Sequence, residues 1–268
     1  NIFIDVGDQK VTVYWQNNAE YFIDPISQEQ DFEGYRIYGA RKTSGSEDIE
    51  FSLLGEFDKA DGISTEIGYN TGFEAIKIGE QDSISIDGNY YHYKFVNEGV
   101  KNGWLNYYAV TAFDRGDPAA NLGSLESSIY GNRVYVYPGT NPNDESLGWE
   151  PSVYPNPYRG QAEWDDYGSR ERMIWFQGLP QKAEIRIFTL SGDPVDVLFH
   201  DEDYNGEDVN NINSKQDPLL SGGEHAWDLI TQYDQAIASG LYLFTVEDLN
   251  SQSGSFGKIK EGKFLVIK

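Results

Sequence analysis

Apolar and polar residues alternate along most of the chain. Val11, Val13 and Trp15 are separated by Thr12 and Tyr14, Tyr35 and Ile37 flank Arg36 in "EGYRIYGAR", and Tyr107, Ala109 and Thr111 share one parity of "LNYYAVTAFD". A repeat of two sends successive side chains to opposite faces of a pleated strand, so each run predicts a strand with one buried face. Further runs of this kind are 90–96 "YYHYKFV", 133–138 "RVYVYP", 172–177 "RMIWFQ", 183–190 "AEIRIFTL", 240–248 "GLYLFTVED" and 262–268 "GKFLVIK". Turn formers punctuate them: Asp61-Gly62, Asp87-Gly88, Gly116-Asp117-Pro118 and Ser191-Gly192-Asp193-Pro194. No amphipathic helical pattern runs beyond about two turns. The expected fold class is all-β.

The alternation breaks at residues 137–160, "YPGTNPNDESLGWEPSVYPNPYRG", where Pro, Gly, Asn and charge concentrate as they do in linkers. A chain of 268 residues at roughly 100–200 per domain also points to two units. The expected domains are residues 1–140 and 141–268. Charge does not separate them, because each carries 22 acidic and 10 basic side chains, giving −24 overall. That surface excludes nucleic acid and anionic membranes as partners, since both need clustered Lys and Arg. No apolar run reaches the ~18–20 residues of a membrane-spanning helix, so membrane insertion is not expected. No signal peptide opens the chain, and Asn1 starts in mid-pattern, as in a mature product or fragment. The absence of Cys removes disulfides and thiolate chemistry together. With 19 Tyr, 14 Phe and 6 Trp, the chain is too aromatic for an acidic disordered segment.

The first half resembles fibronectin type III modules over roughly residues 10–135. "VTVYWQNNAE", "DFEGYRIYGAR" and "NGWLNYYAVTAFDRGDP" carry the likeness, with a Trp on an early strand and a late "YYAVTAFD" strand. The resemblance implies that Trp15 fills the space between two sheets and that Tyr107 or Tyr108 makes a tyrosine-corner-like bond. The excess over ~100 residues is expected within 43–89, as long hairpins or an added strand pair.

In the second half, "VYPNPYRG" (153–160) is followed by "MIWFQGLP", "AEIRIFTLSGDPVDVL", "HAWDL", "QAIASGLYLFTVE" and "GKFLVIK". This order resembles the C-terminal sorting domains of type IX secretion cargo, and is also similar to the immunoglobulin-like domain of flagellar hook-capping proteins. The resemblance implies structural roles. Pro155 and Pro157 would keep the entering segment extended, Ile185, Ile187 and Phe188 would lie on the first long core strand, and Ser191-Gly192-Asp193 would turn it. Trp227 would be a core aromatic and Gly240 would permit a tight strand entry. It also implies that Gly240–Val246 and Lys263–Lys268 form the element a translocon reads. Residues 201–224 stand out as an acidic insertion.

Catalytic signatures are absent. His92, His200 and His225 are isolated in sequence, and no nucleophile elbow, zinc-protease helix or phosphate-binding glycine loop occurs. Calcium is the cofactor the residues favour. "DEDYNG" sets Asp201, Asp203 and Asn205 at alternate positions before Gly206, with Glu207 at the seventh place of a D-x-D-x-N-G loop. The twelfth position is Ile212, so closure would require Asp208 or a distant residue. A mobile acidic hairpin is the alternative. A second candidate cluster is Asp24, Asp31, Asp114 and Asp117, flanking strands that would be neighbours in a sandwich, with ordinary turn capping as its alternative. The run 88–95 places Tyr91 and Tyr93 on one strand face and Tyr90, His92 and Lys94 on the other, which leaves carbohydrate stacking open.

The expected whole is two immunoglobulin/fibronectin III-like β-sandwiches in series, non-catalytic, secreted or on the cell surface. Its partners would be secretion or anchoring machinery, other surface proteins, or copies of itself, engaged through strand edges and end loops. A carbohydrate- or polymer-binding accessory module and a structural subunit of a filament or surface layer remain alternatives.

Overall fold

The alternating runs pair into antiparallel sheets that close over two cores. A computed structural model describes the chain except residues 26–27, 42–48, 61, 63–68, 80–82, 87, 118–120, 143–148, 161–171, 205 and 207–219. In the first sandwich, β1 (Ile2–Gly7), β2 (Lys10–Trp15) and β7 (Tyr93–Glu98) form one sheet. It faces a second sheet ordered β4 (Ser52–Asp58), β3 (Phe32–Arg41), β8 (Asn106–Asp114) and β9 (Val134–Val136). In the second sandwich, β10 (Ser152–Tyr154), β11 (Ile174–Gln177) and β14 (Glu224–Trp227) face β13 (Pro194–Asp201), β12 (Lys182–Thr189), β15 (Gly240–Asp248) and β16 (Ile259–Val266). A separate hairpin, β5 (Ile84–Ile86) with β6 (Asn89–Tyr91), lies at the end of the 43–89 stretch and runs past it. With that hairpin set aside, both sandwiches have one strand order: first, second and fifth facing fourth, third, sixth and seventh. The chain is all-β, with two immunoglobulin/fibronectin III-like sandwiches in series.

Period-2 patterning places the first core. Ile4, Val6, Val11, Val13 and Trp15 meet Phe32, Tyr35, Ile37, Tyr108 and Val110 across the sheets. Trp15, 2% exposed, stacks on Tyr93 with centroids 5.6 Å apart and meets Tyr35 edge-on at 5.7 Å. The Tyr35 and Tyr93 hydroxyls both donate to Glu20, at 3.2 and 2.7 Å, so the polar ends of a buried aromatic cluster are satisfied by one carboxylate. Tyr108 is also buried, and its hydroxyl accepts from the Asn97 side chain at 2.8 Å rather than bonding the backbone as a tyrosine corner does. The run 90–96 divides at His92, because Tyr91 pairs with Ile84 and Tyr93 with Trp15.

The second core is built from Ile174, Phe176, Ile185, Ile187, Trp227, Phe244, Val246, Phe264 and their neighbours. Phe188 lies on the opposite face of its strand from Ile185 and Ile187, paired with Leu243, because adjacent residues alternate sides. Gly240 has open surroundings, with only Tyr242 within reach of an added Cβ at 3.8 Å. The constrained glycine is Gly262, directly opposite Phe244, where a Cβ would lie 2.4 Å from the Phe ring.

Among its described residues, the Pro/Gly-rich stretch expected to act as a linker is packed. Val136 through Gly139 are buried, Tyr137 and Trp149 are 1% and 2% exposed, and β10 lies within the stretch. Thr140 is bound on four sides: its hydroxyl donates to Gly223 O (2.8 Å) and accepts from Gly178 N (2.8 Å), and its carbonyl accepts from Gly223 N and Ser221 Oγ (both 2.9 Å). Pro and Gly report the absence of a regular ladder there, not the absence of a core. Pro155 and Pro157 follow β10 and end it, since neither carries an N–H to extend the pairing. Beyond them the chain lies along the last strand. The Asn156 side chain bonds Lys263 O (3.3 Å) and Leu265 N (3.1 Å), and Tyr158 exchanges backbone bonds with Leu265 and Ile267.

Candidate functional site

A cleft of about 510 Å³ opens at the end of the first sandwich where β2 ends, β3 begins and β8 ends. Its floor is Trp15, Phe32, Tyr35 and Phe113, and its rim includes Ala19, Phe22, Leu125 and three carboxylates, Asp24, Asp31 and Asp114. A 3-10 turn at Asn18–Tyr21 turns the chain away from β2 and puts Ala19 and Phe22 over the opening. The following loop is closed by Asp24 N to Glu29 O and Gln28 N to Asp24 O, both 2.9 Å, and Arg115 N to Asp31 O (3.1 Å) ties it to the end of β8.

The carboxylates are not equivalent. Asp114 Oδ1 accepts the N–H groups of Gly116 (2.9 Å) and Leu125 (2.8 Å), which holds the hairpin that follows β8. Burial pushes the Asp31 carboxyl above its ordinary value, with the charges of Asp114 and Asp24 adding to the shift; its own backbone N–H and Arg115 oppose it. Asp117, the fourth residue of the expected cluster, sits in the hairpin and exchanges backbone bonds with Leu122 without lining the cleft. Three of the four are therefore brought together. Among the described residues, no group of three or more His, Asp or Glu side chains is arranged to hold a metal ion.

In the second candidate loop, Asp201 Oδ1 accepts Asp203 N at 3.1 Å, and its other oxygen lies 3.3 Å from Lys182 Nζ. The Asp203 N–H lowers the Asp201 carboxyl below its ordinary value, with Lys182 assisting and burial opposing. Asn205, Glu207, Asp208 and Ile212 lie outside the described residues. The stacking face fares differently from its expectation: Tyr91 and Tyr93 are 5% and 6% exposed and belong to the interior, leaving Tyr90 exposed.

Sequence reading missed two groupings that only register creates. His225 pairs with Phe176 and His200 with Ala183, which sets the two buried imidazoles 5.6 Å apart, with Tyr204 stacked on His225 at 3.9 Å. His200 Nε2 lies 3.1 Å from Gly222 O. Beside them, the fully buried Glu224 accepts from the Tyr154 hydroxyl at 2.7 Å, and Gly139 passes so close that a Cβ would sit 2.2 Å from the carboxylate. The second missed feature is a staple at each sandwich. Asp58 accepts from Tyr69, Asn70 and Thr71 N–H groups and from the Thr71 hydroxyl, at 2.5–2.7 Å. Asp248 accepts from Asn250 N, Ser253 Oγ and Ser255 Oγ, and Ser255 in turn accepts the Trp149 indole N–H at 3.1 Å. The only sequence signal for either is an Asp ending an alternating run ahead of Ser, Thr and Asn.

Neither protein-family models nor curated proteins match the chain. Similar solved structures include dimeric latent PorU from Porphyromonas gingivalis, at 14% identity over all of this chain and 20% of that one, with TM-score 0.24. The FN1–FN3 domains of chicken CNTN1 match at 10% identity over all of this chain and 66% of that one, with TM-score 0.26. PorZ, described as an essential bacterial surface component of the type-IX secretion system of the same bacterium, matches at 12% over 98% of this chain and 43% of that one, with TM-score 0.28. The chain thus spans less than two thirds of each of these proteins. The fold assignment rests on the strand order of each sheet: two sandwiches of the immunoglobulin/fibronectin III kind, one after the other.

Proposed function

We propose that this chain is a non-catalytic region of a secreted or cell-surface protein, in which the second sandwich acts as a type IX-like sorting and anchoring module and the first is displayed by it. The observation that carries this reading is the pairing of the two ends of the sorting-like motif. Residues 156–158 of "VYPNPYRG" are bonded along Lys263–Ile267 of "GKFLVIK", more than a hundred positions away. The motif is thereby one physical element, a terminal ribbon of β15 and β16 with its outer edge dressed by the entering segment. Such a ribbon at a sheet edge is a surface that a protein partner reads through backbone geometry. The expected units remain residues 1–140 and 141–268, with calcium as a ligand of the 201–207 loop.

The test is delivery. In a bacterium with type IX machinery, the full chain is expected at the cell surface and a chain lacking residues 153–268 in the periplasm. Equal surface delivery of both would remove the sorting role.

A further inference from the structure

We propose that a second cleft, at the opposite end of the first sandwich, binds a sugar acid, whose carboxylate lies against Arg41 and Lys101 and whose hydroxyls meet the polar wall beside them. The inference is independent of the sorting reading and concerns the other module.

The cleft, about 760 Å³, opens where β3 and β7 end and β4 and β8 begin. That is a size that takes a short saccharide. Arg41 and Lys101 both line it and both rest on one ring: Arg41 Cζ lies 4.6 Å, and Lys101 Nζ 5.7 Å, from the centre of Trp104. A cation held against an aromatic face keeps its N–H groups free while its stem loses freedom. Two positive charges are thereby fixed beside one opening.

What they lack is a carboxylate. The chain has 44 acidic residues against 20 Lys and Arg, and Arg36, Lys77, Arg115, Lys182, Arg186 and Lys260 each have an acidic ion-pair partner. Among the described residues, no carboxylate stands at ion-pair distance from Arg41 or Lys101, although Glu50 lines the same cleft. In so acidic a chain, two cations that share a cleft and face no carboxylate mark a place for an anion from outside.

The surroundings narrow the kind of anion. A net charge of −24 repels polyanions, so the guest must be compact and carry few charges. One carboxylate suits the planar fork of Arg41, with the Lys101 ammonium beside it. The rest of the wall bonds hydroxyls. Ser52 is exposed, the Asn97 amide is fixed by donating to the Tyr108 hydroxyl (2.8 Å), and the Asn106 amide by donating to Trp104 O (2.7 Å). Fixed amides and hydroxyls pair with the hydroxyls of a sugar ring. Among the described residues, the aliphatic lining is limited to Ala40, Leu54 and Val100, little for a peptide anchored by apolar side chains.

The experiment titrates the full chain with digalacturonate by calorimetry at low salt, with its dimethyl ester and capped Gly-Glu-Gly as parallel titrants. Expected is one-site binding of digalacturonate, about tenfold weaker for the ester and about tenfold weaker in Arg41→Gln or Lys101→Gln. Arg133→Gln should leave binding unchanged, because it removes the same charge from a cation stacked on Tyr107 and Tyr130 outside the cleft. All three side chains are exposed, so each variant should keep the parent's melting temperature. No saturation, equal binding of the ester, or equal weakening by Arg133→Gln would overturn the proposal. So would equal binding of Gly-Glu-Gly, which would make the cleft a site for peptide carboxylates.

Discussion

The two sandwiches share one strand order and differ at their ends. The first leaves an end open: β2, β3 and β8 finish around a cleft rimmed by Phe22, Leu125 and three aspartates. The second is closed by its own connector. Trp149 docks onto Ser255, Thr140 is bonded between Gly178 and Gly223, and Asn156 with Tyr158 covers part of the last edge. Their cores differ in the same sense. The first contains Trp15, Tyr35 and Tyr93, with the two tyrosines bonded to a shared Glu20, whereas the second sets Trp149, Trp227 and Tyr242 among Phe176, Phe244 and Phe264, each polar end bonded to a different partner. Sheet order is therefore set by alternating apolar positions, while what each end can do is set by the irregular segments between strands.

The strongest way to break this comparison is to damage one core and watch the other. Phe244→Ala removes a ring from the second core and should cost about 3–5 kcal/mol, the usual range for emptying an aromatic site. In a thermal scan it should lower one unfolding transition and leave the first sandwich's transition in place. If both fall together, the buried connector has fused the two into one cooperative unit.

A smaller effect separates the staples. Asp248→Ala strands the Ser253 and Ser255 hydroxyls and the Asn250 N–H, and Asp58→Ala strands four donors; each should cost about 2–3 kcal/mol, on its own sandwich. Asp58 also gives a pH signature. Burial raises its carboxyl, but the hydrogen bonds from Thr71, Asn70 and Tyr69 outweigh that and hold it below the ordinary value. A lowered carboxyl contributes stability that is present above the unfolded value, about pH 4, and lost as pH falls through the folded one. Urea midpoints of the parent should drop across that acid range more steeply than those of Asp58→Asn; parallel curves would contradict the staple.

The smallest effect is expected at Asp201. Its carboxylate closes a turn and faces Lys182 on a half-exposed surface, so Asp201→Asn should change stability by less than about 1 kcal/mol. A rise in melting temperature with calcium that this substitution abolishes would show that the 201–207 loop holds the ion.

How much of this was legible follows from which interactions are local. Trp15, Ile37, Ile185 and the bounds of 240–248 could be read because a period of two announces a buried strand face, whereas Trp227 was expected in the core only from the resemblance, its strand being buried at every position. The strands Ile2–Gly7, Ser52–Asp58 and Pro194–Asp201 were harder, their exposed faces carrying Phe3, Leu53, Val197 and Phe199 that blur the alternation. At the cleft, topology brings together three of the four aspartates, yet the role of Asp114 turns on two N–H groups, one of them eleven residues away. The imidazole pair and the burial of Glu224 depend on sheet register and on Gly139, which no spacing in the sequence announces.

The segment from Asn156 to Tyr158 has a consequence for any partner that adds a strand beside β16. The edge from Lys263 to Ile267 is already occupied by a competitor on the same chain, and a tethered competitor acts at an effective concentration of ~mM. A free peptide at ordinary cellular concentration would lose that contest. A partner that wins must either bind far more tightly or first take hold of the entering segment, so the edge carries an affinity threshold.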